Sequence, residues 1–188
     1  FTSLRDGVWT QVRSQDIRVG DVLRIDRDEE LPCDCICVAS PADARSQNTV
    51  YIRTDNLDGE IDLKSRDRVP GAPLTLTSSP EQVQRYVGSI AVTCPPPRET
   101  MHVFDAKREV RASSSLSSSS SAATTDPECC GLTIDHLLLQ SSCLKNTSQI
   151  IAVAVYTGNE TKCGMNKKPA PVKWAQIDRK VSKYAMII

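Results

Sequence analysis

The stretch DIRVGDVLRIDRDEELPCDCICVAS, residues 16–40, decides the fold class. It holds a Gly-Asp turn at residues 20–21, an alternating DVLRI run, and a second alternating run from Cys33 to Ser40. Pro32, in the turn DEELP, stands at the entry to that second strand. Similar short runs surround the stretch: VWTQV (8–12), TVYIRT (49–54), GSIAVTC (88–94) and QIIAVAVYTG (149–158). Strands at this spacing, with little helical periodicity, predict an all-β sandwich or roll.

Helices are predicted in three places. The run SPEQVQRYVGS, residues 79–89, begins with Ser79 as a cap, Pro80 at the first helical position and Glu81 in the first turn. ETKCGMN, residues 160–166, predicts a single helical turn. From residue 174 to residue 188 apolar side chains recur at helical spacing, which predicts an amphipathic C-terminal helix. Residues 112–128 are Ser-rich and of low complexity, which predicts a disordered insert inside the domain.

The composition argues against several classes of protein. The 188 residues carry 23 Lys and Arg and 23 Asp and Glu, and this zero net charge gives no sign of a nucleic-acid partner. No apolar run reaches the ~20 residues that a membrane-spanning helix needs. The two histidines, His102 and His136, do not belong to a Cys/His cluster with metal-ligand spacing, so no metal site is predicted.

The eight cysteines do not favour a disulfide framework, because no signal peptide pattern stands near Phe1. Cys33, Cys35 and Cys37 alternate, which places all three on one face of a strand. We interpret them as small buried hydrophobic residues in a reducing compartment. Cys129 and Cys130, beside the Ser-rich segment, are predicted to be exposed.

The segment RTDNLDGEIDLKSR, residues 53–66, crowds four acids around Gly59: Asp55, Asp58, Glu60 and Asp62. Asp-Gly between two apolar-patterned runs is a hairpin turn signal. The acids are either solvated, or one of them is presented to a partner past a glycine that has no side chain to obstruct the approach. The residues alone favour the solvated turn. No nucleophile motif and no phosphate-binding loop accompanies it, so the chain has no self-contained active site.

Two long stretches nevertheless resemble the actuator domain of P-type ATPases, in the variant of the P4 class, the phospholipid flippases. That class has a pattern close to VGD-x-V, DE-x-x-P-x-D and NLDGETNLK. The chain matches it in order at residues 19–21, 28–29, 32, 34 and 56–60, and Asp62, Leu63 and Lys64 follow where the family has Asn-Leu-Lys. Cation pumps carry TGE where this chain has DGE, so Asp58 indicates the lipid pumps. LTIDHLLLQSSCLKNTSQIIAVAVYTGNETKCGMN, residues 132–166, resembles a second flippase stretch. The resemblance covers about residues 8–66 and 131–180, and the Ser-rich insert lies between the two parts.

The resemblance implies a fold and a parent protein. Residues 1–188 would be the actuator domain, a mainly β, distorted jelly-roll or sandwich-like fold with short helices. It would be the cytosolic loop between the second and third membrane helices of a multi-pass pump, and residues 174–188 would lead toward the third. The parent would use ATP and Mg²⁺, bound outside this chain, to move a phospholipid. Its phosphorylation and nucleotide-binding domains would be partners of this domain, and an accessory subunit is a further candidate.

The resemblance also assigns roles around the DGE motif. Glu60, Gly59 and Asp58 would be the catalytic positions, with Glu60 aiming the water that hydrolyses an acyl phosphate. Asn56, Leu57 and Ile61 would shape the loop. Ile61 departs from the family, which usually has threonine there, so a hydroxyl is missing. Two alternatives stay open: a freestanding β-sandwich binding or scaffold module, and the actuator domain of a cation pump. Continuation of the coding region into an apolar helix and a DKTG-type motif would favour a pump over the freestanding module.

Overall fold

The strands form three antiparallel sheets within residues 1–41, 49–110 and 129–167, the parts of the chain that this computed structural model describes. The strands of the largest sheet are β1 (Thr2–Arg5), β2 (Val8–Gln11), β3 (Val22–Asp26), β4 (Asp34–Ala39), β10 (Leu137–Leu138) and β12 (Gln149–Tyr156). The second sheet holds β5 (Thr49–Arg53), β6 (Leu63–Asp67) and β11 (Cys143–Lys145). The third holds β7 (Ile90–Thr93), β8 (Ala106–Val110) and β9 (Cys130–Leu132).

Sequence neighbours are often not neighbours in these sheets. The largest sheet has the order β10-β4-β12-β3-β1-β2, so β12 pairs with both β3 and β4. The smaller sheets have the orders β11-β5-β6 and β7-β8-β9. The described helices are short: α1 (Asp55–Asp58), α2 (Pro80–Ser89) and α3 (Lys162–Met165), with 3₁₀ turns at Ser14–Asp16, Ile134–His136 and Gly158–Glu160. The predicted mainly β, sandwich-like architecture with few helices is confirmed.

The central strands β4 and β12 are buried on both faces. On one face Cys35 and Ala152 belong to a cluster with Val50 and Ile52 of the second sheet. On the other face, β4 and β12 contribute Ile36, Val38, Ile151, Val153 and Val155 to a second cluster. That cluster also contains Val83 of α2 and, from the third sheet, Ala106 and Leu132. Apolar side chains that face both ways explain why β12 is a continuous hydrophobic run and not an alternating one.

The three alternating cysteines lie where the sequence predicts. Cys33, Cys35 and Cys37 are buried in the same cluster as free thiols. Burial raises the pKa of the Cys33 thiol and of the Cys37 thiol to about 12. They are therefore uncharged at neutral pH and pack as small hydrophobic side chains. Cys129 is exposed, as predicted, and Cys130 is half-buried.

Helix α2 begins where its capping residues predict. The Ser79 side chain accepts a hydrogen bond from the Gln82 backbone N–H at 3.3 Å. In return the Gln82 side chain accepts one from the Ser79 backbone N–H at 2.9 Å, which completes a capping box. Pro80 occupies the first turn, as expected. The helix buries Val83 against the core beneath the largest sheet.

A buried carboxylate joins the two stretches that carry the family motifs. Asp34, which is 0% exposed, accepts hydrogen bonds from the backbone N–H groups of Gln140 at 2.8 Å and Lys162 at 2.7 Å. The Lys162 ammonium in turn donates to the carbonyls of Thr100 and Val103, each at 2.7 Å. This network fixes the start of α3, the predicted helical turn, against β4 and the segment that precedes β8.

Two predicted features lie outside the described residues, namely the Ser-rich insert at 112–128 and the C-terminal helix at 174–188. Among the residues that are described, no helix is long and apolar enough to cross a membrane.

Candidate functional site

The acidic segment connects the paired strands β5 and β6. These strands run antiparallel, with Arg53 opposite Leu63, so the segment is the connection of a hairpin as predicted. The connection, however, is longer than a tight Asp-Gly turn, because it contains the helical turn α1 before Gly59. Residues 54–62 therefore project from the end of a strand pair whose Ile52 is fully buried in the core.

Gly59 ends the helical turn in the left-handed region. Its φ is 76° and its ψ is 2°, and its N–H donates to the Asp55 carbonyl at 3.1 Å. A Cβ atom added at this position would meet no atom within 4 Å. The domain therefore requires glycine here for its backbone conformation and not for lack of space. The open space leaves the backbone of the loop accessible to a partner.

Asp58 is fixed by hydrogen bonds from three neighbours. The Thr54 hydroxyl lies 2.9 Å from both of its carboxylate oxygens, and the Glu60 backbone N–H donates to Oδ1 at 3.0 Å. The Lys64 ammonium donates to Oδ2 at 2.6 Å. The Lys64 ammonium first, then the Glu60 N–H and the Thr54 hydroxyl, lower the pKa of Asp58 to about 2. Asp58 therefore stays ionised and shapes the loop around the residue that follows Gly59.

Glu60 is the acid that the loop presents to solvent. Its side chain is 61% exposed, and its Oε2 atom lies 2.8 Å from the Lys64 ammonium. Ile61, beside it, is 77% exposed. An exposed carboxylate on a hydrogen-bonded loop can accept a proton from a water molecule or orient it.

The remaining predicted residues hold the base of the loop. Leu57 is half-buried and packs against the core cluster that contains α2. Asn56 is exposed, and its side-chain amide donates to the Ser141 carbonyl at 3.4 Å, close to the long limit for a hydrogen bond. The predicted catalytic residues Asp58, Gly59 and Glu60, which are consecutive in the chain, lie beyond this base at the tip of the loop.

Two residues of the site were missed by the sequence analysis as functional candidates. Thr54 is buried beneath the loop and lies one helical turn before Asp58, a spacing that could have indicated the hydrogen bond. Lys64 belongs to the motif stretch, but its contacts with Asp58 and Glu60 depend on the return of the chain in β6. Within the described residues, no group of three His, Cys, Asp or Glu side chains is arranged to hold a metal ion.

Comparisons with known proteins agree with the motif pattern. Residues 1–52 match the sequence model of the family described as the P-type ATPase actuator domain. The chain is 35% identical to Phospholipid-transporting ATPase tat-1 of Caenorhabditis elegans over 93% of its own length and 13% of that protein. It is 32% identical to Phospholipid-transporting ATPase 2 of Arabidopsis thaliana over 96% of its own length and 15% of that protein. It is 30% identical to Phospholipid-transporting ATPase IG of Homo sapiens over 93% of its own length and 14% of that protein.

A solved structure, that of a zinc-transporting PIB-type ATPase in the E2.Pi state, matches 99% of this chain and 20% of its own chain, at 11% identity and a TM-score of 0.46. The chain spans 13–15% of the length of the curated relatives named above. The family model and these relatives confirm the resemblance drawn from the motifs. The family model identifies a P-type ATPase actuator domain in residues 1–52, and over most of its length the chain is similar to phospholipid-transporting ATPases.

Proposed function

We propose that this chain is the actuator domain of an ATP-driven phospholipid flippase, and that its DGE loop positions water to hydrolyse an aspartyl-phosphate intermediate. One observation carries the proposal. Glu60 is 61% exposed directly after a left-handed glycine, while the neighbouring Asp58 is held by hydrogen bonds from three groups. A solvated turn without a function would not need hydrogen bonds that fix the loop around one exposed acid.

For acyl phosphate hydrolysis, this domain needs only to place a carboxylate and a water molecule correctly. Hydrolysis of an acyl phosphate needs a water molecule in line with the phosphorus and a group that accepts its proton. Glu60 supplies the carboxylate, and Gly59 lets the backbone approach because it carries no side chain. Asp58 does not act on the water, since its oxygens are occupied by Thr54, Lys64 and the Glu60 N–H.

The lipid substrate is part of the same proposal. The relatives at 30–35% identity are named as phospholipid-transporting ATPases, and Asp58 stands where cation pumps have threonine. The parent would be a multi-pass membrane protein that binds ATP and Mg²⁺ in other domains, with this domain on the cytosolic side. Rotation of the domain toward and away from the phosphorylation site would couple hydrolysis to lipid movement.

The test uses the full-length protein with Glu60→Gln. This variant keeps the size of the side chain but accepts no proton, so the phosphoenzyme should form from ATP and then persist. Glu109→Gln is the matched control, because Glu109 forms a 2.8 Å ion pair with Lys107 that resembles the pair of Glu60. The control should break down its phosphoenzyme at the normal rate. Normal phosphoenzyme turnover in Glu60→Gln would show that the role given to Glu60 is wrong.

A transport assay separates the lipid pump from its alternatives. The unmodified full-length protein in vesicles should hydrolyse ATP faster when phospholipid substrate is added, and Glu60→Gln should abolish this stimulation. Stimulation by a metal cation and not by phospholipid would indicate the cation pump. A protein without any phosphoenzyme would indicate a binding or scaffold module.

A further inference from the structure

Lys64 lies between the two acids of the loop. Its ammonium is 2.6 Å from Asp58 Oδ2 and 2.8 Å from Glu60 Oε2, and its side chain is 30% exposed. Hydrogen bonds to Asp58 and then Glu60 raise the pKa of Lys64, so the ammonium stays charged at neutral pH. One cation therefore joins a carboxylate that is fixed by other groups to a carboxylate that is otherwise exposed.

The strand position of Lys64 makes it a firm anchor. Lys64 belongs to β6 and pairs with Ile52 of β5, a residue with 0% exposure in the core. Its backbone is thus held by the sheet, outside the loop that it contacts. The side chain reaches from the strand to residues 58–60, so the position of the ammonium does not depend on the loop alone.

The two acids depend on Lys64 to different degrees. Asp58 also accepts hydrogen bonds from Thr54 and from the Glu60 N–H, and these stay when Lys64 is removed. The side chain of Glu60 extends into solvent, and its described ion pair is the one with Lys64. Without the ammonium, the nearby negative charge of Asp58 would repel the Glu60 carboxylate and favour its other rotamers.

We propose that Lys64 is a positioning residue for hydrolysis, which holds the Glu60 carboxylate in one orientation against Asp58 so that it enters the phosphorylation site already ordered. This inference rests on the proposed function of Glu60. A glutamate has two sp³–sp³ torsions with three staggered wells each, so a freed carboxylate is spread over about nine rotamers. Loss of Lys64 should therefore slow phosphoenzyme breakdown by about tenfold, since misplaced groups lose rate in proportion to their productive population.

The experiment measures phosphoenzyme formation and breakdown in the full-length protein. Lys64→Met, which keeps the length of the side chain without the charge, should form phosphoenzyme at the normal rate and break it down about tenfold more slowly. Lys64→Arg should recover most of the rate, because a guanidinium also binds two carboxylates. Lys107→Met removes a surface lysine that is likewise paired with a glutamate, and it should leave breakdown unchanged.

Each outcome decides between a positioning role and its alternatives. Formation of phosphoenzyme shows that a variant is folded, and Lys64→Gln replaces Lys64→Met if the latter does not form it. Normal breakdown in the uncharged variant, or an arginine variant as slow as the methionine variant, would overturn the inference. A positioning role also predicts that Lys64→Met adds no further slowing to Glu60→Gln, since the group that it positions is already inactive.

The result is distinguishable from a failure of the proposed function. If Glu60→Gln blocks breakdown while the uncharged Lys64 variants are normal, only the role of Lys64 is wrong. If Glu60→Gln itself turns over normally, the proposed function fails, whatever the Lys64 variants do. Ionic strength gives an independent readout: salt screens the repulsion between Asp58 and Glu60, so the ratio of wild-type to Lys64→Met rates should decrease as salt increases. A ratio that salt leaves unchanged would contradict the electrostatic role.

Discussion

Replacing Gly59 with alanine separates a folding cost from an obstruction at the tip of the loop. With φ at 76°, alanine is forced into the left-handed region, at a cost of about 1–2 kcal/mol. Part of this is offset because alanine reduces the conformational entropy of the unfolded chain by about 0.4–1 kcal/mol. No atom lies within 4 Å of the new Cβ, so no clash adds to the cost. We expect a net loss of about 1 kcal/mol in the free energy of unfolding.

The same substitution should affect phosphoenzyme breakdown far more than folding. If the loop only carried the backbone strain, 1 kcal/mol would slow the rate by at most about fivefold. If the phosphorylation site approaches closely at Gly59, a methyl group there would misplace Glu60, and a misplacement of about 1 Å costs on the order of 100-fold. The assay labels the full-length protein with ATP, stops further labelling with unlabelled ATP, and follows the decay of the phosphoenzyme.

Gly158→Ala is the matched control for this prediction. Gly158 also has a positive φ, 59°, and its added Cβ also meets no atom within 4 Å. Both variants should lower the melting temperature of the chain by about 3 °C, in line with a loss of 1 kcal/mol. Only Gly59→Ala should slow phosphoenzyme decay beyond fivefold. Equal decay rates in the two variants would refute the claim that a partner approaches closely at Gly59.

Three further predictions concern the loop and the core. Ile61→Thr supplies the missing hydroxyl at a 77% exposed position, so stability should change by less than about 0.5 kcal/mol while phosphoenzyme breakdown becomes faster; an equal gain in Ile61→Val, which has the shape without the hydroxyl, would contradict this. Asp34→Ala leaves two buried backbone N–H groups unpaired, so chemical denaturation should show a loss of about 3 kcal/mol in the free energy of unfolding. Asp34→Asn keeps one acceptor and should lose less stability. An alanine variant as stable as the wild type would refute the argument. The folded pKa of Asp58 is lowered from 3.8 to about 2, so its contribution to loop order is present above pH 3.8 and is lost as the pH falls toward 2. A carboxyl NMR titration of Asp58 checks this, and Lys64→Met should move the titration midpoint back toward 3.8. An unchanged midpoint in that variant would contradict the role of the ion pair.

The sequence by itself determined most of the local structure. Short-range rules decide such features, because a strand run, a proline or a helix cap acts within a few residues. The alternating runs became strands, and Ser79 and Pro80 marked the start of α2. The three alternating cysteines came to share one buried face. The motif pattern also identified the family that the comparisons confirm.

Pairing between distant segments was decided by the tertiary structure. Strand β12 lies between β3 and β4, and β11 pairs with β5, although long stretches of the chain separate these partners. Alternation within one strand cannot choose a distant partner, since many apolar strands would cover the same face. The alternation of apolar residues also could not show that β4 and β12 are buried on both sides by two smaller sheets.

The acidic loop shows the same division. Its composition and motif established that Glu60 follows Gly59 and that the segment connects two strands. The sequence predicted a tight turn, whereas the structure has a helical turn, because the carbonyls of Thr54 and Asp55 find N–H partners at residues 57–59. Only the return of the chain in β6 brings the Lys64 ammonium to both carboxylates. Both acids contact Lys64, but only Asp58 also accepts hydrogen bonds from Thr54 and the Glu60 N–H. This difference depends on distances across the hairpin, which the order of the residues alone does not contain.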